Sequence, residues 1–369
     1  MTEPPAPGIP PAPGIPPEVA PVRPGQELDW AGIRDYLAPR LGVDEPMEVA
    51  QFPNGSANLT YLVRFGDRRF VLRRPPFGVL APGAHDMRRE HRVLSRLWRV
   101  YDRAPRAFLF CDDPDVAGSD FLVSEYRPGT VVWGVIPPEL GGRAGAHQLG
   151  LATVDALADL HAVDPAGCDL DRLGRPDGFL ERQLAGWRDR WGRVATWADP
   201  AHDAAMTRTA DLLSRHLPAS QAAALVHNDF KVNNCQFRPG HPERVASVFD
   251  WDMATLADPL VDLGTLLNYW PDPADTDDDH AIHDPGMDTL GLPTRAEVID
   301  RYAARSDLDL AAVAWYEAFA CWRVAVIRQQ LYARYARGES TDERMASRGE
   351  TVRMLARRAL RILTENRPA

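Results

Sequence analysis

Apolar and polar positions along the chain change their period twice, and each change marks a different kind of element. The first stretch, "MTEPPAPGIPPAPGIPPEVAPVRPGQ", has no period; it repeats "PPAPGIP" and holds too little apolar material to fold around, so a disordered, partly polyproline tail is expected over residues 1–26. "LDWAGIRDYLAPRL" then reads as a short amphipathic helix. "MEVAQF", "NLTYLVRF" and "RRFVLRRP" alternate with the period of strands and are separated by the turn signals "PNGSA" and "GD". In "HDMRREHRVLSRLWRVY" the apolar residues Val93, Leu94, Leu97, Trp98 and Tyr101 recur at helical spacing, and "RAFLFC" and "DFLVSEY" supply two further strands. A small lobe of antiparallel sheet and one helix is expected over residues 27–126.

From residue 127 the period is helical. "HQLGLATVDALADLHAV", "GFLERQLAGWRDRW", "DAAMTRTADLLSRHL", "PLVDLGTLLNYW", "RAEVIDRYAAR", "LAAVAWYEAFACWRVAVIRQQLYARYARG" and "DERMASRGETVRMLARRALRILTEN" all read as helices. Only "AALVHNDFKVNNCQFRP" and "RVASVFDWDMA" interrupt them, as short strands around loops. The fold class is therefore α+β, with a large, mainly helical C-terminal lobe over residues 127–369.

Composition narrows the function classes. With 369 residues, 45% of them hydrophobic, the chain can bury a substantial core, and no apolar run approaches the roughly 20 residues of a membrane span. No charged-then-apolar leader pattern opens the sequence, so a soluble cytoplasmic protein is expected, with no membrane partner. Cys111, Cys168, Cys235 and Cys321 are scattered without a CxxC pair, which points to buried thiols. A net charge of −10 argues against nucleic-acid binding, whose affinity rests on a basic face. Lys231 is the only lysine in a chain whose other basic residues are all arginine. With no lysine elsewhere there is no GxxxxGK[ST], which excludes the P-loop.

That lysine lies in "HNDFKVNN", where His227, Asp229, Lys231 and Asn234 follow in the order His-x-Asp-x-Lys-x-x-Asn. Asp250 comes 16 positions after Asn234, at the end of the apolar "VASVF". Carboxylate and amide groups on loops after two short strands would converge, the spacing of a catalytic loop and metal-binding aspartate in the protein-kinase-like fold. The chain here resembles the aminoglycoside phosphotransferase and choline kinase group of small-molecule kinases. "HNDFKVNN" is similar to its catalytic loop and "VFDWDMATLADPLVDLG" to its metal loop. "FPNGSANLTYLV", "FVLRRPP" and "HDMRREHRVL" look most like the branch also found joined to acyl-CoA dehydrogenases.

The resemblance implies a two-lobe protein-kinase-like fold, ATP and Mg²⁺ as cofactors, and transfer of the γ-phosphate to a hydroxyl of a small-molecule substrate. Asp229 would orient that hydroxyl and accept its proton; Lys231 would reach the transferring phosphate; Asn234 and Asp250 would hold Mg²⁺, with Asp252 helping through water and His227 bracing the loop. On the third strand, Arg73 stands where a lysine is usual. Glu90 shares the stripe of Leu94, Leu97 and Trp98, so it points inward and fits a pair with Arg73. Gly55, Ser56, Ala57 and Asn58 would form the phosphate-covering loop, and backbone groups at Glu125, Tyr126 and Arg127 would meet adenine. Asp258 and Pro259 read as a helix start, with Asp262 one turn inside it as a brace for the catalytic loop.

The acceptor stays open. Asp275, Asp277, Asp278 and Asp279 would attract a polyamine such as an aminoglycoside, or form a solvated acidic loop. Trp322, Arg323, Arg328 and Tyr332 would instead suit an anionic metabolite such as a hydroxyacyl-CoA, or be salt-bridged helix surface. A nucleotide-binding pseudokinase or scaffold is the alternative class, favoured by the missing strand lysine; intact Asp229, Asn234 and Asp250 favour the enzyme.

Overall fold

A hairpin shows how local sequence sets the first unit. In the computed structural model, which describes residues 19–53, 58–78, 85–340 and 343–365, strands β2 (Leu59–Phe65) and β3 (Arg68–Arg74) pair antiparallel with Phe65 opposite Arg68. The two-residue turn between them starts at Gly66, whose φ of 55° suits the tight connections that match strand twist. Around the hairpin, β1 (Met47–Gln51), β4 (Ala107–Cys111) and β5 (Phe121–Glu125) complete an antiparallel sheet of order β1-β2-β3-β5-β4. Alternation along β2 buries Tyr61, Val63 and Phe65 on one face, where they meet Phe70 and Leu72 of β3 and Ile33 and Leu37 of helix α1 (Trp30–Leu41). Helix α2 (Met87–Leu97) starts at Asp86, whose side chain accepts the Arg89 N–H, and buries Glu90, Val93, Leu94 and Leu97. A one-turn helix α3 (Pro114–Ala117) links β4 to β5.

One boundary needs correction. Residues 19–26, assigned to the structureless tail, are built onto the outer edge of β1. Ala20 bridges Gln51, Val19 is buried, the Gln51 side chain accepts the Arg23 N–H at 2.9 Å, and Tyr61 donates to the Gln26 carbonyl at 2.6 Å. The covered edge strand is a physical reason for this stretch to be ordered. Residues 1–18 lie outside the described residues.

The chain divides into two compact units. The sheet unit ends at Arg127 and takes in Trp251–Met253; the other holds Arg99–Ala104, Pro128–Asp250 and everything from Ala254 on. Within this second unit, α4 (Gly142–His161), α5 (Phe179–Gly192), α6 (Pro200–Arg215), α7 (Leu260–Tyr269), α9 (Arg295–Ala303), α10 (Val313–Ala336) and α12 (Arg348–Glu365) are accompanied by one-turn helices α8 (Asp277–His280) and α11 (Glu343–Ala346). Two small antiparallel sheets accompany them: β6 (Thr130–Val131), β8 (Cys235–Arg238) and β9 (His241–Val248) in the order β6-β8-β9, and β7 (Ala224–Val226) with β10 (Thr255–Ala257). Helix α10 is apolar almost all round and packs on both α7 and α12, as a central helix must. Its approach to α7 is close enough that a Cβ on Gly264 would stand 2.4 Å from the Tyr316 carbonyl carbon. All four cysteines are buried thiols.

Candidate active site

The catalytic-loop candidates follow directly from the β7–β10 pair. Val226 lies opposite Thr255, so the chain leaves β7 at His227 beside the start of β10. His227 is fully buried; its Nε2–H donates to the Phe249 carbonyl at 2.9 Å and its Nδ1 accepts the Asp229 N–H at 3.3 Å. Those two partners fix the tautomer and make His227 a brace for the loop.

The next residue carries strain. Asn228 has φ 72° and Asp250 has φ 73°, two of the four described non-glycine residues in the left-handed region. A clamp over-determines Asn228. From α7, the fully buried Asp262 accepts the His227 and Asn228 N–H groups, each at 2.6 Å. From α10, Arg323 donates to the Asn228 side-chain oxygen at 3.0 Å, to its carbonyl at 3.1 Å and to Thr265 Oγ1 at 2.9 Å. Burial pushes the Asp262 carboxyl up, but the hydrogen bond and charge of His161, together with His227, outweigh it and hold the group below the usual carboxylate range. The brace read from the position of Asp262 is thus formed. Asp258 also caps α7 by accepting the Leu260 N–H at 2.9 Å.

Held this way, Asp229 faces Lys231 and Asn234. Its Oδ2 accepts Lys231 Nζ at 2.8 Å and Asn234 Nδ2 at 3.2 Å, while its Oδ1 takes no hydrogen bond among the described residues. Asn234 Nδ2 also donates to the Asp229 carbonyl at 2.8 Å, which orients the amide and turns its oxygen away from Asp229. Phe249, adjacent to Asp250, donates its N–H to the Asn234 carbonyl at 3.1 Å, tying the two loops together. An amide oxygen and a carboxylate on tied loops suit Mg²⁺, which keeps most of its waters and needs few protein ligands. Burial opposes the charge on Lys231, but Asp229, Tyr269 and Asp250 outweigh it and hold its pKa above the ordinary lysine value. The ammonium also lies 5.0 Å from the centre of the Tyr269 ring, a contact local spacing did not reveal.

In the sheet unit, Arg73 Nη1 donates to Glu90 Oε1 at 2.8 Å, with side chains 10% and 3% exposed, so the pair suggested by the α2 stripe is formed. Arg74, on the other face of β3, donates to the Ala117 carbonyl at 2.9 Å. Asn58 is buried between Asp252 (3.3 Å) and His85 (2.8 Å). Gly55, Ser56 and Ala57 lie outside the described residues. The Glu125 carboxylate accepts the Arg106 N–H and the Arg127 guanidinium, each at 3.1 Å, and Tyr126 carries Arg69 against its ring.

The acceptor candidates separate. Trp322 is core, fully buried and donating to the Met206 carbonyl, and Tyr332 packs against Gly349. Arg323 serves the catalytic loop. Arg328 lines a pocket beside Lys231, with Asn233, Tyr269, His283 and Asp284. The acidic loop divides: Asp277 is exposed and Asp278 half-buried, whereas Asp275 and Asp279 are engaged by the fold. Asp275 takes both Arg295 nitrogens, at 2.6 and 2.8 Å, and Asp279 is buried against Thr276 and Arg361.

Comparison with known proteins places this geometry. A family model described as "Phosphotransferase enzyme family" matches residues 48–316. The mouse acyl-CoA dehydrogenase family member 10 is 31% identical over 342 residues, 91% of this chain and 31% of its own length. The Arabidopsis thaliana probable acyl-CoA dehydrogenase IBR3 is 30% identical, over 85% of this chain and 39% of its own. The chain thus spans well under half of these relatives. A Ralstonia eutropha protein provisionally assigned as an aminoglycoside phosphotransferase superposes with a TM-score of 0.73 at 25% identity, covering 92% of this chain and 99% of that one. Spectinomycin phosphotransferase, solved with ADP and spectinomycin, shares the fold at a TM-score of 0.57 and 12% identity, over 92% and 98% of the two chains. The fold is protein-kinase-like.

Proposed function

Because the chain belongs to the phosphotransferase enzyme family, we propose that it is an ATP-dependent kinase that moves the γ-phosphate to a hydroxyl of a small molecule. The observation that carries the reading is Asp229, held by the loop clamp with one carboxylate oxygen engaged by Lys231 and Asn234 and the other unengaged among the described residues. Such a carboxylate can orient a hydroxyl in line and accept its proton. Lys231, a compact ammonium fixed against Asp229, stabilises charge on the transferring group. Asn234 and Asp250 would hold Mg²⁺, which when bound neutralises phosphate oxygens. Arg73, steadied by Glu90, would hold the nucleotide's inner phosphates, and the Glu125–Arg127 backbone its adenine. In this reading residues 27–126 form the nucleotide-binding lobe and 127–369 the catalytic and acceptor lobe.

Neighbours solved with ADP and an aminoglycoside support nucleotide use. The pseudokinase alternative rests on Arg73 in place of lysine; the formed Arg73–Glu90 pair keeps the cation in a buried position and favours the enzyme. The cytoplasm is the proposed compartment, and no described helix is long and apolar enough to cross a membrane. The test is thermal stabilisation by ATP and Mg²⁺ followed by ADP release across a panel of aminoglycosides, choline-like amines, sugars and hydroxy acids. Asp229→Ala should keep the stabilisation and lose turnover; equal turnover would overturn the assignment.

A further inference from the structure

Asp262 holds the catalytic loop, but its own side chain does not decide how its carboxylate is turned. Torsion about the bond to a carboxylate is broad and two-fold, so rotamer preference leaves the plane open. The loop asks for one plane, with the Asn228 N–H on Oδ1 and the His227 N–H on Oδ2, each at 2.6 Å. Among the described residues neither arginine nor lysine pairs with this fully buried carboxylate. The third group on it is His161, at the end of α4, whose Nε2–H donates to Oδ2 at 3.4 Å. Carboxylate oxygens only accept, so the partner places the proton on Nε2.

His161 is held in turn from its other side. Its Nδ1 is hydrogen-bonded to the hydroxyl of Tyr302 on α9 at 2.7 Å, and the two rings meet edge to face with centroids 5.8 Å apart at 76°. The His161 side chain is 5% exposed and Tyr302 is fully buried, and the Tyr302 hydroxyl makes no other hydrogen bond among the described residues. Packing one helix on another needs no polar atoms, and burying them is unfavourable unless they are paired. Here the pairing runs along a single line, from Tyr302 through His161 to Asp262 and on to the backbone of His227 and Asn228. Asn228 is the left-handed residue immediately before Asp229, so a small turn of its backbone moves the whole aspartate side chain.

We propose that His161 and Tyr302 are positioning residues for phosphoryl transfer. Tyr302 fixes the His161 ring, the ring fixes the plane of the Asp262 carboxylate, and that plane fixes the loop backbone from which Asp229 projects. The catalytic half of this rests on the kinase reading; the half that says the chain of bonds sets the loop does not.

Three variants test it, each assayed well below its own thermal midpoint. His161→Leu removes the donor at similar volume, His161→Gln keeps an amide N–H within reach of Asp262, and Tyr302→Phe loses a single oxygen and guards against a variant that merely fails to fold. The first measurement is the His227 amide proton resonance in protein isotope-labelled at histidine, because a backbone N–H bonded so closely to a carboxylate lies far downfield. The second is steady-state ADP release from ATP and Mg²⁺, with water or a hydroxyl compound of the acceptor panel. His161→Leu should move the His227 amide upfield and lower kcat about a hundredfold, with KM for ATP within about twofold of wild type. His161→Gln should restore the amide position and recover at least about tenfold in rate, and Tyr302→Phe should lose about tenfold. An unmoved His227 amide in His161→Leu, equal rates in His161→Leu and His161→Gln, a wild-type rate in Tyr302→Phe, or a KM for ATP that rises in step with the fall in kcat would each overturn the proposal. Wild-type protein that releases no ADP would sink the kinase reading instead, and the amide shift, which needs no turnover, would then decide by itself whether the chain of bonds sets the loop.

Discussion

Asp262→Asn removes one charge and no volume, yet it should be among the most damaging changes in the chain. The carboxylate is fully buried and accepts two backbone N–H groups at 2.6 Å each. Hydrogen bonds to a charged acceptor contribute about 1.5–3 kcal/mol apiece. Asparagine can replace one of them with a neutral bond of about 1 kcal/mol; its amide nitrogen then faces the other N–H, and two buried donors oppose each other, which costs about 1–3 kcal/mol. The net loss is about 3–8 kcal/mol, large against a typical total of about 5–15 kcal/mol. At about 2–4 °C per kcal/mol for a unit of this size, the thermal midpoint should fall by roughly 6–32 °C. The same change loosens one side of the clamp on Asn228, so turnover should drop even well below the new midpoint. Thermal unfolding by circular dichroism and ADP release at low temperature check the two parts. An unchanged midpoint would refute the assigned energetics, and a lowered midpoint with full turnover would refute the link from Asp262 to the placement of Asp229.

Four further outcomes are expected. Lys231→Arg should lower phosphoryl transfer by about a hundredfold with little change in ATP affinity, because a planar guanidinium cannot occupy the point position between Asp229 and the Tyr269 ring; single-turnover rates and nucleotide titration separate the effects. Arg323→Ala should cost about a hundredfold in kcat through misplacement of the catalytic loop, with partial recovery on adding guanidinium ion, a rescue that simple destabilisation would not show. Glu90→Gln takes the carboxylate from a buried pair and should destabilise the sheet unit by about 3 kcal/mol while weakening nucleotide binding, measured by urea unfolding and titration. Burial raises Asp275 and Asp279, but bonds from His283, Arg295 and Thr276 outweigh it and hold both low; their contribution is therefore present above the unfolded carboxylate value of about 4 and lost as pH falls below it, which acid unfolding of Asp275→Asn, flattened in that range, should show.

What could be read locally was what a single loop decides. His227, Asp229, Lys231 and Asn234 fall within one turn of chain between two short strands, and their mutual contacts span two to five residues. The Arg73–Glu90 pair was legible because a strand and a helix each show their buried face through their period. Roles set by helix packing were not legible. Helix α10 is apolar on nearly every side, so its period does not say which arginine meets which neighbour, and Trp322 and Arg323, adjacent in sequence, go to the core and to the catalytic loop. Two aspartates of the acidic loop escaped a local reading for a related reason. Asp275 and Asp279 turn inward to Arg295 and Arg361, 20 and 82 residues away, which no local charge pattern reveals. Proline-rich composition likewise concealed the short register of Ala20 on Gln51.

The arginine bias of the chain sharpens this distinction. With one lysine available, position 231 can be singled out from sequence, while the arginines look alike. Burial and partners tell them apart. Arg358 and Arg295 meet carboxylates and hold helices together. Among the described residues Arg323 hydrogen-bonds only neutral oxygens, all on α7 or the catalytic loop, and so acts on geometry. Arg328 donates to the Ile282 carbonyl and feels the charge of Asp284 in the same pocket wall. The same side chain thus serves as strut and as clamp, and the difference lies in whether it meets a carboxylate of the fold or a set of neutral acceptors.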